Sequence, residues 1–424
     1  MEHTPPRGTE DLLPPASTRM AALSARAHEV ARRYGYGYVE TPAFEHTELF
    51  ARTSGETSDV VSKEMYTFLD RSERSLTLRP EGTAPVVRAY LQHANELGSP
   101  FKAYYVNQSW RYNRPQKGRL REFRIFGAEV LGVEDPGADV EIITLAATFL
   151  RELGLQQLDL QVNSIGDATC RPGYRQALLD YLEAQAPRLR DEHKTRFREN
   201  PLRVLDCKDE ACREVAADAP RITDHLCEAC KAHFDAVQAG LGEEGIEFAI
   251  ETTLVRGLDY YTRTAFEFVH RGLSRSQSTV CGGGRYDGLA EVLGGPPTPG
   301  VGFGLGLDRT LLALEAEGVD LEGVVGVVAF VVAFGDGAVE KGRALLRQVR
   351  AAGVASDMAF GERPLGAQMK LADRAGARFA LIIGEREAEA GEATVKRLDD
   401  GSQQTVPLTD VPQWIAGQSD EASA

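Results

Sequence analysis

Six cations stand in the segment SWRYNRPQKGRLREFR (109–124): Arg111, Arg114, Lys117, Arg119, Arg121 and Arg124, opposed by Glu122 alone. The chain around them is acidic, with 63 Asp and Glu against 48 Lys and Arg. A local concentration of guanidinium groups in such a chain points to an anion of defined geometry, and the planar fork of arginine suits phosphate oxygens. If 105–113 and 119–129 pair as strands around the turn RPQKG, side chains alternate between faces. Arg119, Arg121, Phe123, Ile125, Gly127 and Glu129 then share one face, and Asn107, Ser109, Arg111 and Asn113 share a face of the preceding strand. Arginines at one end, a ring in the middle and a carboxylate at the other would receive, in that order, a polyphosphate, a flat base and a cationic amine.

Other stretches carry chemistry of the same kind. RPEGTAP (79–85) places Glu81 and Thr83 at a strand-to-helix turn, where an acid also complements the helix dipole. LVRGLDYY (254–261) sets Arg256 ahead of a glycine and two tyrosines. A fixed guanidinium stabilises charge building on phosphate oxygens without any proton transfer. In CGGGRYDGL (281–289) consecutive glycines permit close approach of backbone to a ligand. In GVGFGLGLDR (300–309) the glycines fall at every second position, so the stretch is not the G-x-G-x-x-G of a dinucleotide fold; small residues alternating along a strand make a flat floor. Cys207, Cys212, Cys227 and Cys230 form C-x4-C and C-x2-C, a spacing that could hold zinc. Both peptides read as helical, and no metal is expected.

The elements that must position these residues follow from periodicity. Met20, Leu23, Ala27, Val30 and Tyr34 make one apolar face of a helix over 16–34. YGYVETPAFE (36–45) reads as a strand, which Pro42 limits to an edge or interface. Two strands around a polar turn follow in 65–82, then a helix over 83–97. Residues 166–240 read as polar and mostly helical, and 248–270 return to strand character. The glycine-rich stretches 282–284 and 300–306 read as turns, although the alternation in the second also suits a strand. After Glu322, apolar runs at 324–334, 353–360 and 377–384 alternate with helical segments at 338–352 and 364–376, which predicts a small parallel α/β unit. The expected division is therefore 1–322, with a helical insertion at about 166–240, then 323–418, and a frayed tail at 419–424. No apolar run is long enough for a membrane span. The first residues lack the basic flank and apolar stretch of a leader, and six cysteines without a leader suit a reducing compartment, so a cytoplasmic location is expected.

RYNRPQKGRLREF resembles motif 2 of the class II aminoacyl-tRNA synthetases, and specifically of the histidyl-tRNA synthetase family. VRGLDYYTRTAFEF and GGGRYDGL resemble that family's two signature peptides, GVGFGLGLDR its motif 3, and the region around Pro42 its motif 1. The likeness runs from about Pro5 to Trp414. It implies an α+β catalytic domain built on an antiparallel sheet flanked by helices, a helical insertion, and a C-terminal α/β anticodon-binding domain. It also implies a homodimer through the motif 1 region, ATP with Mg2+, and L-histidine and tRNA(His) as partners. Carried over position by position, Arg111 and Arg256 are catalytic cations at the α-phosphate. Arg111, Asn113, Arg119, Phe123 and Arg309 bind ATP. Glu81, Gly82, Thr83, Arg111, Ile125, Glu129, Arg256, Tyr260, Tyr261 and Tyr286 bind histidine. The cysteine peptides have no metal role by this likeness.

Two positions depart from the family. Asn113 stands where glutamate usually contacts the adenine amino group, and Ile125 where glutamine usually contacts histidine. The amide oxygen of Asn113 can still accept a hydrogen bond. Ile125 can neither donate nor accept, a loss of about 1.5–3 kcal/mol, or about ten- to hundredfold. The activity expected is histidine–tRNA ligation. The alternative these departures favour is a regulatory paralogue that binds histidine without charging tRNA, and a ligase with a non-tRNA acceptor is a third reading. The acidity argues against a plain RNA-binding module.

Overall fold

The computed structural model describes residues 3–54, 63–198, 201–205, 207, 209–254, 260–274, 277–321 and 326–420. The chain divides into two compact units, Met1–Leu321 and Glu322–Ala424. No helix among the described residues is long and apolar enough to cross a membrane.

The first unit contains β1 (Gly37–Tyr38), β2 (Phe44–His46), β3 (Tyr66–Leu69), β4 (Ser75–Leu78), β5 (Phe101–Trp110), β6 (Glu122–Leu131), β7 (Leu158–Ser164), β8 (Ala249–Ile250), β9 (Thr262–His270), β10 (Thr279–Arg285) and β11 (Gly300–Gly306). Eight of them form one sheet in the order β1-β5-β6-β11-β10-β9-β7-β8. The six central strands are antiparallel, and β1 and β8 add as short parallel edges. Alternation sorts the two faces. Phe126, Ala128 and Val130 of β6 and Val301, Phe303 and Leu305 of β11 enter the main core, beneath helices Ala16–Arg33, Gly137–Glu152 and Leu307–Glu317. The intervening residues turn to the opposite face, where Gly302, Gly304 and Gly306 lie beside Glu129, Gly127 and Ile125. That face carries the site.

Three expectations change. The stretch 282–284 is interior to β10, and 300–306 is the whole of β11; they pair with each other as strands and are not turns. Residues 36–45 do not form one strand: β1 joins the large sheet, while β2 joins a separate sheet of order β2-β4-β3. Buried Arg79 anchors the crossing between them by donating to the carbonyls of Thr41 at 2.7 Å and Pro42 at 3.1 Å. The basic hairpin is shorter than alternation implied. Its ladder stops at Trp110 opposite Glu122, so Arg111, Arg119 and Arg121 lie on a loop closed by a single Gln116–Arg119 bridge.

Arg285 of the GGGRYDGL stretch is structural. It is fully buried and bonded through Nε and Nη2 to Asp139, which His233 also approaches at 3.3 Å. The segment after β7 is helical, with Arg171–Gln185 and Glu228–Glu243 as its long helices and a core of its own around Tyr174, Leu178, Phe197 and Val215.

The second unit holds β12 (Ala329–Ala333), β13 (Ser356–Met358), β14 (Phe379–Ile383), β15 (Glu392–Arg397) and β16 (Gln403–Pro407) in the order β13-β12-β14-β15-β16. The first three are parallel as the pattern predicts. The sheet is mixed, not parallel, because β15 and β16 add an antiparallel hairpin. Its polar outer positions hid it from hydropathy: all of β16 except Val406 is exposed.

Candidate active site

Over the glycine-floored face lies a cleft of about 970 Å³, lined among others by Glu81, Gly82, Thr83, Arg111, Asn113, Arg119, Phe123, Ile125, Tyr260, Tyr261 and Arg309. Residues that the sequence placed in four separate stretches therefore meet in one cavity. Arg256 falls outside the described residues.

One end is cationic. Arg309 is anchored to the carbonyls of Gly118 at 3.1 Å and Thr279 at 2.8 Å. Burial, and then the positive charges of Arg119 and Arg111, pull its pKa below the ordinary arginine value. Arg111 donates to the Pro80 carbonyl at 2.8 Å and stands 5.6 Å from the Phe123 ring centre. Arg119 reaches Asn113 Oδ1 at 2.7 Å and Glu64 at 3.4 Å. Three guanidiniums near enough to repel one another are what a polyphosphate relieves.

The other four cations of the basic segment lie outside the cleft, and three of them are engaged elsewhere. Arg124 pairs with Asp308 at 3.2 Å, Arg121 lies over the Tyr112 ring at 3.8 Å, and Lys117 meets Glu315 at 3.8 Å, while Arg114 is exposed outside the lining. Of the six, Arg111 and Arg119 face the cleft. The Asn113 oxygen expected to meet adenine already accepts from Arg119, which leaves one lone pair for a base.

The opposite end is acidic and closed. Glu129 is fully buried and accepts from Thr83 Oγ1 at 2.7 Å, from Tyr105 Oη at 3.1 Å, and from Tyr286 in a short bond. Burial pushes its pKa up to about 8, against the opposite pull of the three hydroxyls. Glu129 and Tyr286 are set behind the lining and reach the cleft through Thr83 and Tyr105. Glu81, also buried, accepts from the amides of Thr83 at 2.6 Å and Ala84 at 2.9 Å, and so caps helix Thr83–Leu97. Burial raises its pKa as well. Tyr260 and Tyr261 cluster beside Tyr286 in tilted and edge-to-face contacts, with ring centres 4.7 and 5.8 Å apart along the series Tyr261, Tyr260, Tyr286.

Tyr105 is the site residue that the sequence reading missed. A β-carbon at Gly82 or Gly127 would stand 2.3 or 2.2 Å from its ring, and one at Gly302 would stand 1.7 Å from the Glu129 carboxylate. These glycines make room for a buried tyrosine and acid. The available signal was the pairing of Tyr105 with Gly127 across the hairpin, an aromatic ring lying over a glycine.

Because the folded Glu129 value of about 8 exceeds the ordinary 4.5, its protonation favours the unliganded fold. That contribution is fully present below about 4.5 and is lost as pH rises through about 8. The unliganded melting temperature should fall between pH 5 and 8 more steeply in the wild type than in Glu129→Gln. Calorimetry giving equal slopes would refute this.

Ile125 is 8% exposed and packs with Val86, Ala103 and Tyr105. A glutamine there would bury an amide among apolar neighbours, at about 1–3 kcal/mol. Ile125→Gln is therefore expected to lower stability by about that amount and to change kcat/KM for histidine less than tenfold. A larger gain in pyrophosphate exchange would mean that the departure itself limits activity.

The family model described as histidyl-tRNA synthetase matches residues 8–310. The chain belongs to the histidyl-tRNA synthetase family. A second model, an anticodon-binding domain, matches residues 328–418. The chain is similar to proteins of this family named histidine–tRNA ligase from Moorella thermoacetica, at 51% identity over 410 residues covering 96% of this chain and 97% of the relative. The similarly named protein of Rhodococcus erythropolis is 49% identical over 407 residues, 96% of each. The family's fold is present too: the crystal structure of apo histidyl-tRNA synthetase from S. aureus aligns with a TM-score of 0.80 at 37% identity, covering 98% of this chain and 100% of that one.

Proposed function

We propose that this chain activates L-histidine with ATP and transfers it to the 3′ end of tRNA(His). The observation that carries this reading is the polarity of one cleft, with Arg111, Arg119 and Arg309 at one end and the Glu129 hydroxyl nest at the other. In the first step a histidine carboxylate oxygen attacks the α-phosphorus, the bond to the β-phosphate bridge breaks, and pyrophosphate leaves with that electron pair. In the second step a hydroxyl of the terminal ribose attacks the adenylate carbonyl, the acyl–phosphate bond breaks, and AMP leaves while the hydroxyl proton passes to its phosphate.

Arg111, with Arg256 by resemblance, holds the α-phosphate as charge builds there. Arg119 and Arg309 hold the outer phosphates, and Phe123 stacks on the base that Asn113 helps to recognise. Glu267, which lines the cleft near enough to Arg309 to act on its pKa, would offer a carboxylate oxygen to the Mg2+ that accompanies ATP, and that ion would supply neutralisation of phosphate charge. Glu81 and Thr83 receive the substrate ammonium. Glu129, Tyr286, Tyr260 and Tyr261 enclose the imidazole, where paired polar groups reject side chains that cannot hydrogen-bond.

The second unit reads the anticodon, and Phe360, 89% exposed three residues before Arg363, offers a stacking face for a base. A homodimer forms through the β2-β4-β3 sheet, where Phe44 and Phe68 are about half exposed with ring centres 6.2 Å apart. The cytoplasm is the working compartment. No observation favours the regulatory reading.

The test is amino-acid-dependent ATP–pyrophosphate exchange, followed by charging of tRNA(His). Exchange with histidine alone, followed by charging, is expected. Exchange without charging would transfer the histidine to another acceptor, and histidine binding without exchange would make the chain a sensor.

A further inference from the structure

The cysteine spacing suggested one group, Cys207, Cys212, Cys227 and Cys230. The fold makes a different one. Cys227 and Cys230 meet Cys170 and Asp167, and one ligand atom from each lies within 4.8 Å of all the others. Tetrahedral zinc with Zn–S bonds of about 2.3 Å needs neighbouring sulfurs about 3.8 Å apart, a distance that small side-chain rotations supply. We propose that Asp167, Cys170, Cys227 and Cys230 bind one zinc ion that pins the base of the helical insertion.

The geometry supports a metal in three ways. The ligands come as two hooks of identical spacing, D-x2-C and C-x2-C. Each hook sits at a helix start: Cys170 is the N-cap of Arg171–Gln185, while Cys227 is the N-cap of Glu228–Glu243 and Cys230 lies in its first turn. Three thiolates and a carboxylate around Zn2+ leave a net charge of −2, which two helix N-termini offset. The second support is the backbone amide of Cys227, which donates to Cys170 Sγ at 3.0 Å, one hook bonding the other's sulfur as an outer partner does to a ligating thiolate. The third is Asp167 Oδ1, which accepts from the amides of Thr169 at 2.9 Å and Cys170 at 3.2 Å and so has a fixed orientation. Cys170 and Cys230 are buried, while Asp167 and Cys227 are partly exposed.

The position gives the ion a purpose. It would close the chain between Cys170 and Cys227, which contains most of the insertion. Arg171, next in sequence to one ligand, donates to the carbonyls of Ile165 at 3.2 Å and Tyr261 in a short bond. The hook is thus one residue from the tyrosine wall of the cleft. A second group, His193, Cys207 and Cys212, offers three ligands and no fourth among the described residues.

The test is zinc content of the full chain, purified without a metal-affinity tag under reducing conditions, followed by Co2+ replacement. About one zinc per chain is expected in the wild type and in the Cys207→Ser/Cys212→Ser double variant, with the visible bands of tetrahedral thiolate cobalt. Cys170→Ser and Cys227→Ser should lose the metal. Asp167→Asn, which keeps the fold's hydrogen-bond acceptor, should weaken zinc at least about tenfold in competition with a chelator. Wild-type protein that takes up neither Zn2+ nor Co2+ would overturn the proposal, whatever the variants do. So would metal that survives in Cys170→Ser but is lost from the Cys207/Cys212 double variant, or a mass two hydrogens low in unreduced protein, the mark of a disulfide.

Discussion

Glu129→Gln is expected to lower kcat/KM for histidine in pyrophosphate exchange by about 10- to 150-fold, the equivalent of about 1.5–3 kcal/mol. The variant keeps the shape of the side chain and an oxygen for Thr83 and Tyr286, but replaces an ionisable acceptor with an amide that must also donate. Its neighbours Thr83, Tyr105 and Tyr286 all bring hydroxyl donors to the carboxylate. An imidazole N–H or a substrate cation draws Glu129 into its charged form, which the amide cannot reproduce. KM for ATP should stay within about threefold, because the nucleotide end of the cleft belongs to other residues. Steady-state exchange at varied histidine and ATP is the measurement. Unchanged histidine kinetics would remove Glu129 from the substrate site and leave it a structural acid.

Arg309→Ala should be costlier, lowering exchange by about 10²–10³-fold, the range for removing one fixed donor from a developing oxyanion. Arg309 stands close enough to Arg111 and Arg119 that their charges depress its pKa. Removing one of three mutually repelling cations relieves the unliganded protein, so its melting temperature should not fall through lost charge pairing. The stabilisation by ATP should shrink instead, since that shift reports binding to the folded state alone. Arg309→Lys keeps the charge but loses the fork that reaches both the Gly118 and Thr279 carbonyls, and should recover only part of the loss. If alanine and lysine variants both exchange at the wild-type rate, the outer phosphates lie elsewhere.

Much of this site was legible because its residues are contiguous in short peptides. RPEGTAP, the basic segment and GVGFGLGLDR each carry several lining residues within a few positions of one another. Alternation also predicted that Phe123, Ile125, Gly127 and Glu129 share a face, and the ladder of β6 with β11 keeps them on the glycine side. The reading failed where charge was counted without its partners. Arg124 was counted among the six cations drawn to an anion, yet Asp308, 184 positions away, accepts from both its guanidinium and its amide. No local pattern predicts such a pair.

The sequence by itself determined the apolar face of the first helix, the parallel strands of the second unit, and the chemical types gathered for an anion and a cation. Those follow from period and composition, which are local quantities. Only the tertiary structure decided which glycines are floor and which are turn, because that depends on what lies across the ladder: Glu129 beside Gly302, and Tyr105 over Gly82 and Gly127. It alone separated Cys207 and Cys212 from Cys227 and Cys230, and brought Asp167 and Cys170 to the latter pair. Ligand groups are defined by distances of a few ångströms, and chain spacing fixes such distances only within a turn or two of one element.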